Sequence, residues 1–314
     1  MELIKPNAEI WEQGNTLEDM WKHIARCTRV CYQSVPKNNG ETDEEFVKRV
    51  ILRQFSSYSS TGRLNFDKIH GAMLEHGTVY LNVFPNDEFG QDVIDIFMYN
   101  KYSRCARIMT NDVGYAITTN LRVIIESNLY LALKYFCAPT EHHARRVTVS
   151  FTTNIGVSRE FNRHRVNSIA EESTRYCNYN KRNDGQIKIG LPAWLLDEEN
   201  LHYVERRKFD SITSYCDDVC TEYNRYWNDI DYYLFALTAT EFCYNALIQK
   251  GWKPQQAREV LPLATKTQLI HTAFVDDWKH FFALRADGVS GPAHPNAALV
   301  AKPLKEEFIK RGYI

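Results

Sequence analysis

Apolar positions recur every three or four residues between Thr16 and Tyr32, where Leu17, Met20, Trp21, Ile24 and Cys27 share one stripe, and this spacing predicts an amphipathic helix. A second helix is expected over Glu44 to Phe55. A third, around Phe66 to His76, feeds the run GTVYLNVF, whose β-branched and aromatic residues favour a strand. Pro85 to Met109 is mixed and polar and reads as an excursion. Thr118 to Phe136 reads as one helix, because Leu121, Ile124, Ile125, Leu129 and Leu133 recur at helical spacing. Arg146 to Thr153 (RVTVSFTT) alternates as a strand does. Phe209 to Gln249 gives a long helical pattern, broken once near Asp229 to Asp231 and ended by Lys250-Gly251-Trp252-Lys253-Pro254. Its aromatic stripe, Tyr215, Tyr223, Trp227, Tyr233 and Phe235, fits a core or subunit interface better than a cofactor box. No repeat or low-complexity segment interrupts this order. The expectation is an α+β fold, mixed helices with a small antiparallel-type sheet, in a single domain over residues 1–314.

Composition narrows the function classes. With 314 residues, 44% of them hydrophobic and 13% aromatic, the chain can bury a large core, which argues against disorder. A formal net charge of -1 argues against a globally basic nucleic-acid binder, so any attraction for anions must be local. The eight Cys lack the spacing of a disulfide framework and read as free thiols. Cys27 with Cys31 and Cys216 with Cys220 sit four apart, but no Cys/His pair has zinc spacing, so no metal is expected. The N-terminal MELIKPNAEIWEQG lacks a charged leader followed by an apolar core, and no apolar run is long enough for a bilayer. The expectation is a cytoplasmic protein, in the host cytoplasm if the gene is viral.

The densest candidate chemistry is NRHRVNSIAEESTRYCNY, which begins just after the RVTVSFTT strand. Arg163, His164, Arg165 and Arg175 surround Glu171, Glu172 and the hydroxyls of Ser173 and Thr174, an inventory suited to phosphates and a polar heterocycle. The bland alternative is a solvated face of weak ion pairs. Ser173 has no neighbouring base at triad spacing, so it reads as a ligand donor rather than a nucleophile. Cys177 reads as a packed side chain rather than a reactive thiolate.

The Arg163-His164-Arg165 run, followed after seven residues by Ser173 and then by Arg175-Tyr176, resembles the signature of the flavin-dependent thymidylate synthases. Three other segments resemble that family in the same order: His70 to His76 (HGAMLEH) before a strand, Ala257 to Pro262 (AREVLP), and Trp278 to Arg285 (WKHFFALR). The likeness runs from about Cys27 to Arg285, with a family-specific insertion at about 85–143. It implies reductive methylation of dUMP to dTMP with 5,10-methylenetetrahydrofolate as carbon donor, FAD as flavin and NADPH as reductant, releasing tetrahydrofolate. It also implies a homotetramer with shared sites, and no nucleic-acid or membrane partner.

By that resemblance His70, Ala72, Glu75, Arg163, His164, Arg165, Glu171, Phe274, Asp276 and His280 would contact FAD. Glu160, Arg163, Glu171, Glu172, Ser173, Thr174, Arg175, Arg258 and Arg285 would contact dUMP, with Arg285 polarising the uracil ring as the catalytic residue. The chain departs from the family at three places. Glu160 stands where Gln is common, with Arg159 the expected neutraliser of its charge. Ala72 replaces a Ser or Thr, and Gly291 to Asn296 replaces an Ala-Gln-x-Glu-Ile-Arg element. Two other readings stay open at this point: a flavin- or nucleotide-binding protein without methyl transfer, and a nucleic-acid binder using the Arg-rich segment.

Overall fold

Period-two alternation in the strands either side of the Arg-rich segment builds the centre of the molecule. The computed structural model describes residues 1–36, 40–51, 71–109, 113–181, 185–207 and 211–314. Nine strands are described: β1 (Glu2–Ile4), β2 (Asn7–Trp11), β3 (Thr78–Val83), β4 (Arg104–Met109), β5 (Val113–Asn120), β6 (Arg146–Asn154), β7 (Ser168–Glu171), β8 (Lys188–Gly190) and β9 (Lys266–Phe274). The central sheet is antiparallel with order β2-β6-β9-β7; β3-β5-β4 form a second antiparallel sheet, and β1 pairs with β8 in parallel.

The helices are α1 (Leu17–Tyr32), α2 (Asp43–Val50), α3 (Gly90–Met98), α4 (Leu121–Glu126), α5 (Ile155–Phe161), α6 (Glu198–Arg207), α7 (Ile212–Cys220), α8 (Asp229–Gln249), α9 (Pro254–Ala257), α10 (Val275–Arg285) and α11 (Pro295–Lys310). The α+β expectation therefore stands. Val147, Val149, Phe151, Leu269 and Ala273 point to one face of the central sheet, where Phe161, Trp278, Phe281, Phe282 and Phe308 of α5, α10 and α11 cover them. Each large apolar side chain buried in this way stabilises the fold by about 1.5–3 kcal/mol.

The opposite face carries polar residues under α1, and they are paired. His23 Nε2 meets Thr148 Oγ1 at 3.0 Å, Thr148 Oγ1 meets Thr272 Oγ1 at 2.7 Å, and Thr272 Oγ1 meets His76 Nδ1 at 2.8 Å. Arg146, beside this row, donates to Thr78 Oγ1, the Glu75 carbonyl and Ser168 Oγ. Burial lowers the pKa of His23 to about 4 and takes His76 well below the usual range, so both rings are neutral.

The first predicted helix matches α1, whose Thr16 and Asp19 form a capping box. Glu44 to Phe55 is helical as α2 up to Val50, and its last four residues lie outside the described ones, as do 66–70 of the third prediction; Gly71–His76 forms a 3-10 helix. The single helix expected over Thr118 to Phe136 is corrected. Thr118, Thr119 and Asn120 end β5, pairing with β3 across the second sheet, and the Asn120 side chain then caps the short α4. Asn128 at φ 56° ends the turn before a 3-10 helix at Tyr130–Tyr135. The long C-terminal pattern breaks over residues 221–228, slightly before the expected place, because Asn228 and Asp231 form the capping box that starts α8. In the aromatic stripe, Tyr215 packs on Trp227 and Phe235, whereas Tyr223 is exposed. All eight Cys are free thiols, with Cys177 fully buried. No described helix is long and apolar enough to cross a membrane.

Candidate functional site

The Arg-rich segment owes its position to one cap and one ring. Asn154 accepts from the Val157 N–H at 2.9 Å to start α5, and Phe161 ends that helix buried against Phe151 and Phe281, with ring centroids 4.9 Å from each. The chain then turns through Arg163, His164 and Arg165 into β7. The middle residue points inward: His164 is buried, 4.9 Å from the Phe281 ring and 5.8 Å from the His280 ring. Its flanking arginines are exposed and make no side-chain hydrogen bond or ion pair among the described residues.

His164 meets the far end of α10. Arg285 Nε donates to His164 Nε2 at 3.1 Å, its Nη1 to Glu160 Oε2 at 3.1 Å, and its Nη2 to the Glu160 carbonyl at 2.9 Å. Burial, with the Arg285 and His280 charges adding, pushes the His164 pKa down to about 4, so the ring is neutral and accepts at Nε2 with its proton on Nδ1. The expected neutraliser of Glu160 is corrected here: Arg285 forms the ion pair, and Arg159 is exposed with no bond to it. Next along the chain, Glu171 accepts from Asn162 Nδ2 at 2.9 Å and Thr267 Oγ1 at 3.1 Å, and buried Glu172 pairs with Lys266 at 2.7 Å.

A second group follows. The Ser173 N–H donates to the Cys31 carbonyl at 3.0 Å, tying this loop to the end of α1. Ser173 Oγ accepts from the Arg175 N–H at 3.3 Å, Arg175 Nε donates to Gln255 Oε1 at 3.1 Å, and Arg258 Nη1 donates to Thr174 Oγ1 at 3.4 Å. Ser173, Thr174, Arg175 and Arg258 thus gather at one loop with both guanidinium groups exposed.

The remaining predicted contacts sit elsewhere. Glu75 pairs with Arg122 at 2.6 Å and makes no bond to the Arg163 to Arg165 turn, while Ala72 packs against the core beside α1. The 3-10 helix that carries both lies on the α1 side of the central sheet, whereas His164 and Arg285 lie on the α10 side. Phe274 is buried beneath the Arg104 guanidinium, 4.6 Å from its ring, and Asp276 is exposed beside Lys279. His280 is exposed on α10, and His70 lies outside the described residues. In the Gly291 to Asn296 departure, Asn296 Oδ1 accepts from the Ala193 N–H at 2.7 Å, a local structural bond at the start of α11. Asn162, Thr267, Lys266 and Gln255 were not among the sequence candidates; each is a lone polar residue whose only signal is the partner the fold gives it. Among the described residues no group of three His, Cys, Asp or Glu side chains is placed to hold a metal ion.

The α+β scaffold thus presents two exposed pairs of guanidinium groups and a part-buried Arg–Glu–His arrangement, a set of donors suited to anionic ligands. The family model described as thymidylate synthase complementing protein matches residues 131–311, so the chain belongs to this family, that of the flavin-dependent thymidylate synthases, and is an enzyme of the methyltransferase class. The flavin-dependent thymidylate synthase of Synechocystis sp. is 24% identical over 183 residues, covering 57% of this chain and 76% of that protein. A probable flavin-dependent thymidylate synthase of Paramecium bursaria Chlorella virus 1 is 24% identical over 164 residues, 52% of this chain and 66% of that one. Among solved structures, a UMP/dUMP methylase PolB from Streptomyces cacaoi bound with 5-Br UMP gives a TM-score of 0.41 at 15% identity, covering 99% of this chain and 92% of that one. Thymidylate synthase X from Helicobacter pylori with FAD and dUMP gives 0.36 at 15% identity, covering 96% and 92%.

Proposed function

We propose that this protein converts dUMP to dTMP by reductive methylation, with 5,10-methylenetetrahydrofolate as carbon donor, FAD as bound cofactor and NADPH as reductant, in the cytoplasm. The observation that carries this reading is the meeting of Arg285 with His164 at 3.1 Å, since these residues belong to two separately recognised motifs 121 positions apart. The exposed Arg163 and Arg165, whose side chains have no partner among the described residues, fit a dinucleotide diphosphate, because a planar guanidinium pairs with phosphate oxygens at two points. When bound there, FAD would supply the hydride that the methylation consumes.

The chain's own residues position and polarise. Arg175 and Arg258 would hold the dUMP phosphate beside the Ser173 and Thr174 hydroxyls, with Glu160, Glu171 and Glu172 at the edges of the nucleotide site. Arg285 would donate to the uracil edge where negative charge develops. His164, Glu171 and His280, with His70, Ala72, Glu75, Phe274 and Asp276, would complete the flavin site. Because the Glu75 turn and His164 occupy opposite faces of one sheet, a site using both is built most simply by more than one copy, in keeping with a homotetramer. The exposed Tyr226, Tyr232 and Phe242 offer apolar area for such contacts.

Anaerobic incubation with dUMP, methylenetetrahydrofolate, FAD and NADPH, with both products identified by mass, tests this reading. Formation of dTMP with tetrahydrofolate, dependent on FAD, is the expected result. Appearance of dihydrofolate instead would point to a thiolate route and overturn it, and bound flavin with no dTMP would leave a ligand-binding protein.

A further inference from the structure

A guanidinium carries five N–H donors in one plane. In Arg285 three are committed within the chain: Nε–H to His164, one Nη1–H to the Glu160 carboxylate, and one Nη2–H to the Glu160 carbonyl. Two remain, one on each terminal nitrogen, and the anchored plane dictates where they point. The Arg285 and Glu160 side chains retain 20% and 31% of their exposure, so their ion pair adds little stability. It does remove freedom, since an arginine held at three atoms no longer samples its rotamers. A ligand that meets Arg285 then finds the two free donors already oriented.

We propose that Glu160 is a positioning residue for Arg285, its side-chain oxygen aiming the two uncommitted N–H groups at the substrate ring rather than contacting the substrate itself. This deepens the preceding reading and rests on it, because it takes Arg285 as the group that meets the uracil. The carbonyl and His164 anchors persist in any Glu160 variant, so a change at Glu160 removes the carboxylate anchor alone. What matters is an oxygen at that distance, so the amide of a glutamine serves and a side chain one methylene shorter does not.

The test uses full-length, FAD-loaded protein carrying Glu160→Ala, Glu160→Asp, Glu160→Gln, Arg285→Ala and the Glu160→Ala/Arg285→Ala double change. Turnover, dUMP affinity and flavin content are measured for each. Glu160→Ala and Glu160→Asp are expected to lower kcat by about tenfold to a hundredfold with flavin content unchanged, the scale set by misplacing one catalytic group. Glu160→Gln should recover most of that loss. In the Arg285→Ala background, Glu160→Ala should weaken dUMP binding no further. If Asp preserves turnover and Gln does not, charge rather than position is what Glu160 supplies, and the proposal is wrong. Additive losses of dUMP affinity in the double variant would place Glu160 on the substrate and also overturn it. Should Glu160→Ala not fold, the Asp and Gln variants still decide between position and charge. A wild-type protein that binds no dUMP removes the functional reading and this proposal together, a result distinct from any variant effect.

Discussion

Thr148 shows how a single hydroxyl ties the layers beneath the site together. It bonds His23 of α1 on one side and Thr272 of β9 on the other, and Thr272 in turn bonds His76. Replacing Thr148 by Val keeps the shape but leaves His23 Nε2 without its partner and takes one of the two bonds of Thr272, in a buried setting where each lost bond costs about 1–3 kcal/mol. Thr148→Val should therefore lower unfolding stability by about 2–4 kcal/mol in a urea titration, with the far-ultraviolet spectrum unchanged. A loss below about 0.5 kcal/mol would show that the network contributes nothing net. At this scale the motifs singled out Arg163, His164, Ser173, Arg175, Arg258 and Arg285, and the fold brings His164 to Arg285 and Arg258 to the loop of Ser173 and Arg175. The pairing of Glu160 with Arg285 was not legible in the sequence, because it links residues 125 positions apart through the register of β6 and β9. Charge patterning along the chain instead directed attention to the adjacent Arg159, which the helix turns outward to solvent.

Elements were legible where one periodicity ran without competition. The α1 stripe, closed by the Thr16 capping box, is such a case. Residues 118–136 failed because the apolar spacing of Leu121 to Leu133 was extended backward over Thr118 and Thr119, whose β-branched side chains belong to strand pairing with Tyr80 and Val79. The last helix is disguised by proline. Pro295 opens α11 acceptably, but exposed Pro303 lies inside it and offers no N–H to the Leu299 carbonyl. Packing of Phe308 against Trp278 and Phe282 holds the helix despite this. Pro303→Ala should restore the missing donor and stabilise by about 1–2 kcal/mol, the helix gain of about 3 kcal/mol being offset by a more flexible unfolded chain and the bend already accommodated. A rise in Tm is the expected readout, and a fall would mean that the bend at Pro303 is what seats Phe308.

Across the whole molecule, the buried neutral histidines set how the fold responds to acid. Burial lowers His23 to about 4 and His271 to about 3, and holds His76 well below the ordinary value of 6.5. His271 meets Asn167 at 3.0 Å, its ring otherwise enclosed by Phe151, Trp278 and Phe281, so its site offers no counter-charge. The sign follows from which state binds protons. Below about pH 6.5 the unfolded chain takes up protons that the folded chain excludes, so stability falls as pH falls through the unfolded value and continues to fall until the folded values near 3 to 4 are reached. Well inside that window each histidine contributes a slope of about 1.4 kcal/mol per pH unit, and above pH 7 its contribution is flat. Ordinary carboxylates take up protons only at lower pH, so the first descent belongs to the histidines. Denaturant midpoints measured from pH 8 to pH 5 should be level down to about pH 7 and then drop steeply. His23→Gln, which keeps a polar partner for Thr148 without a titrating ring, should remove about one histidine's share of that slope. A slope unchanged by the substitution would mean that His23 gains its proton in the folded state, and the neutral row between α1 and the central sheet would have to be redrawn as a charged one.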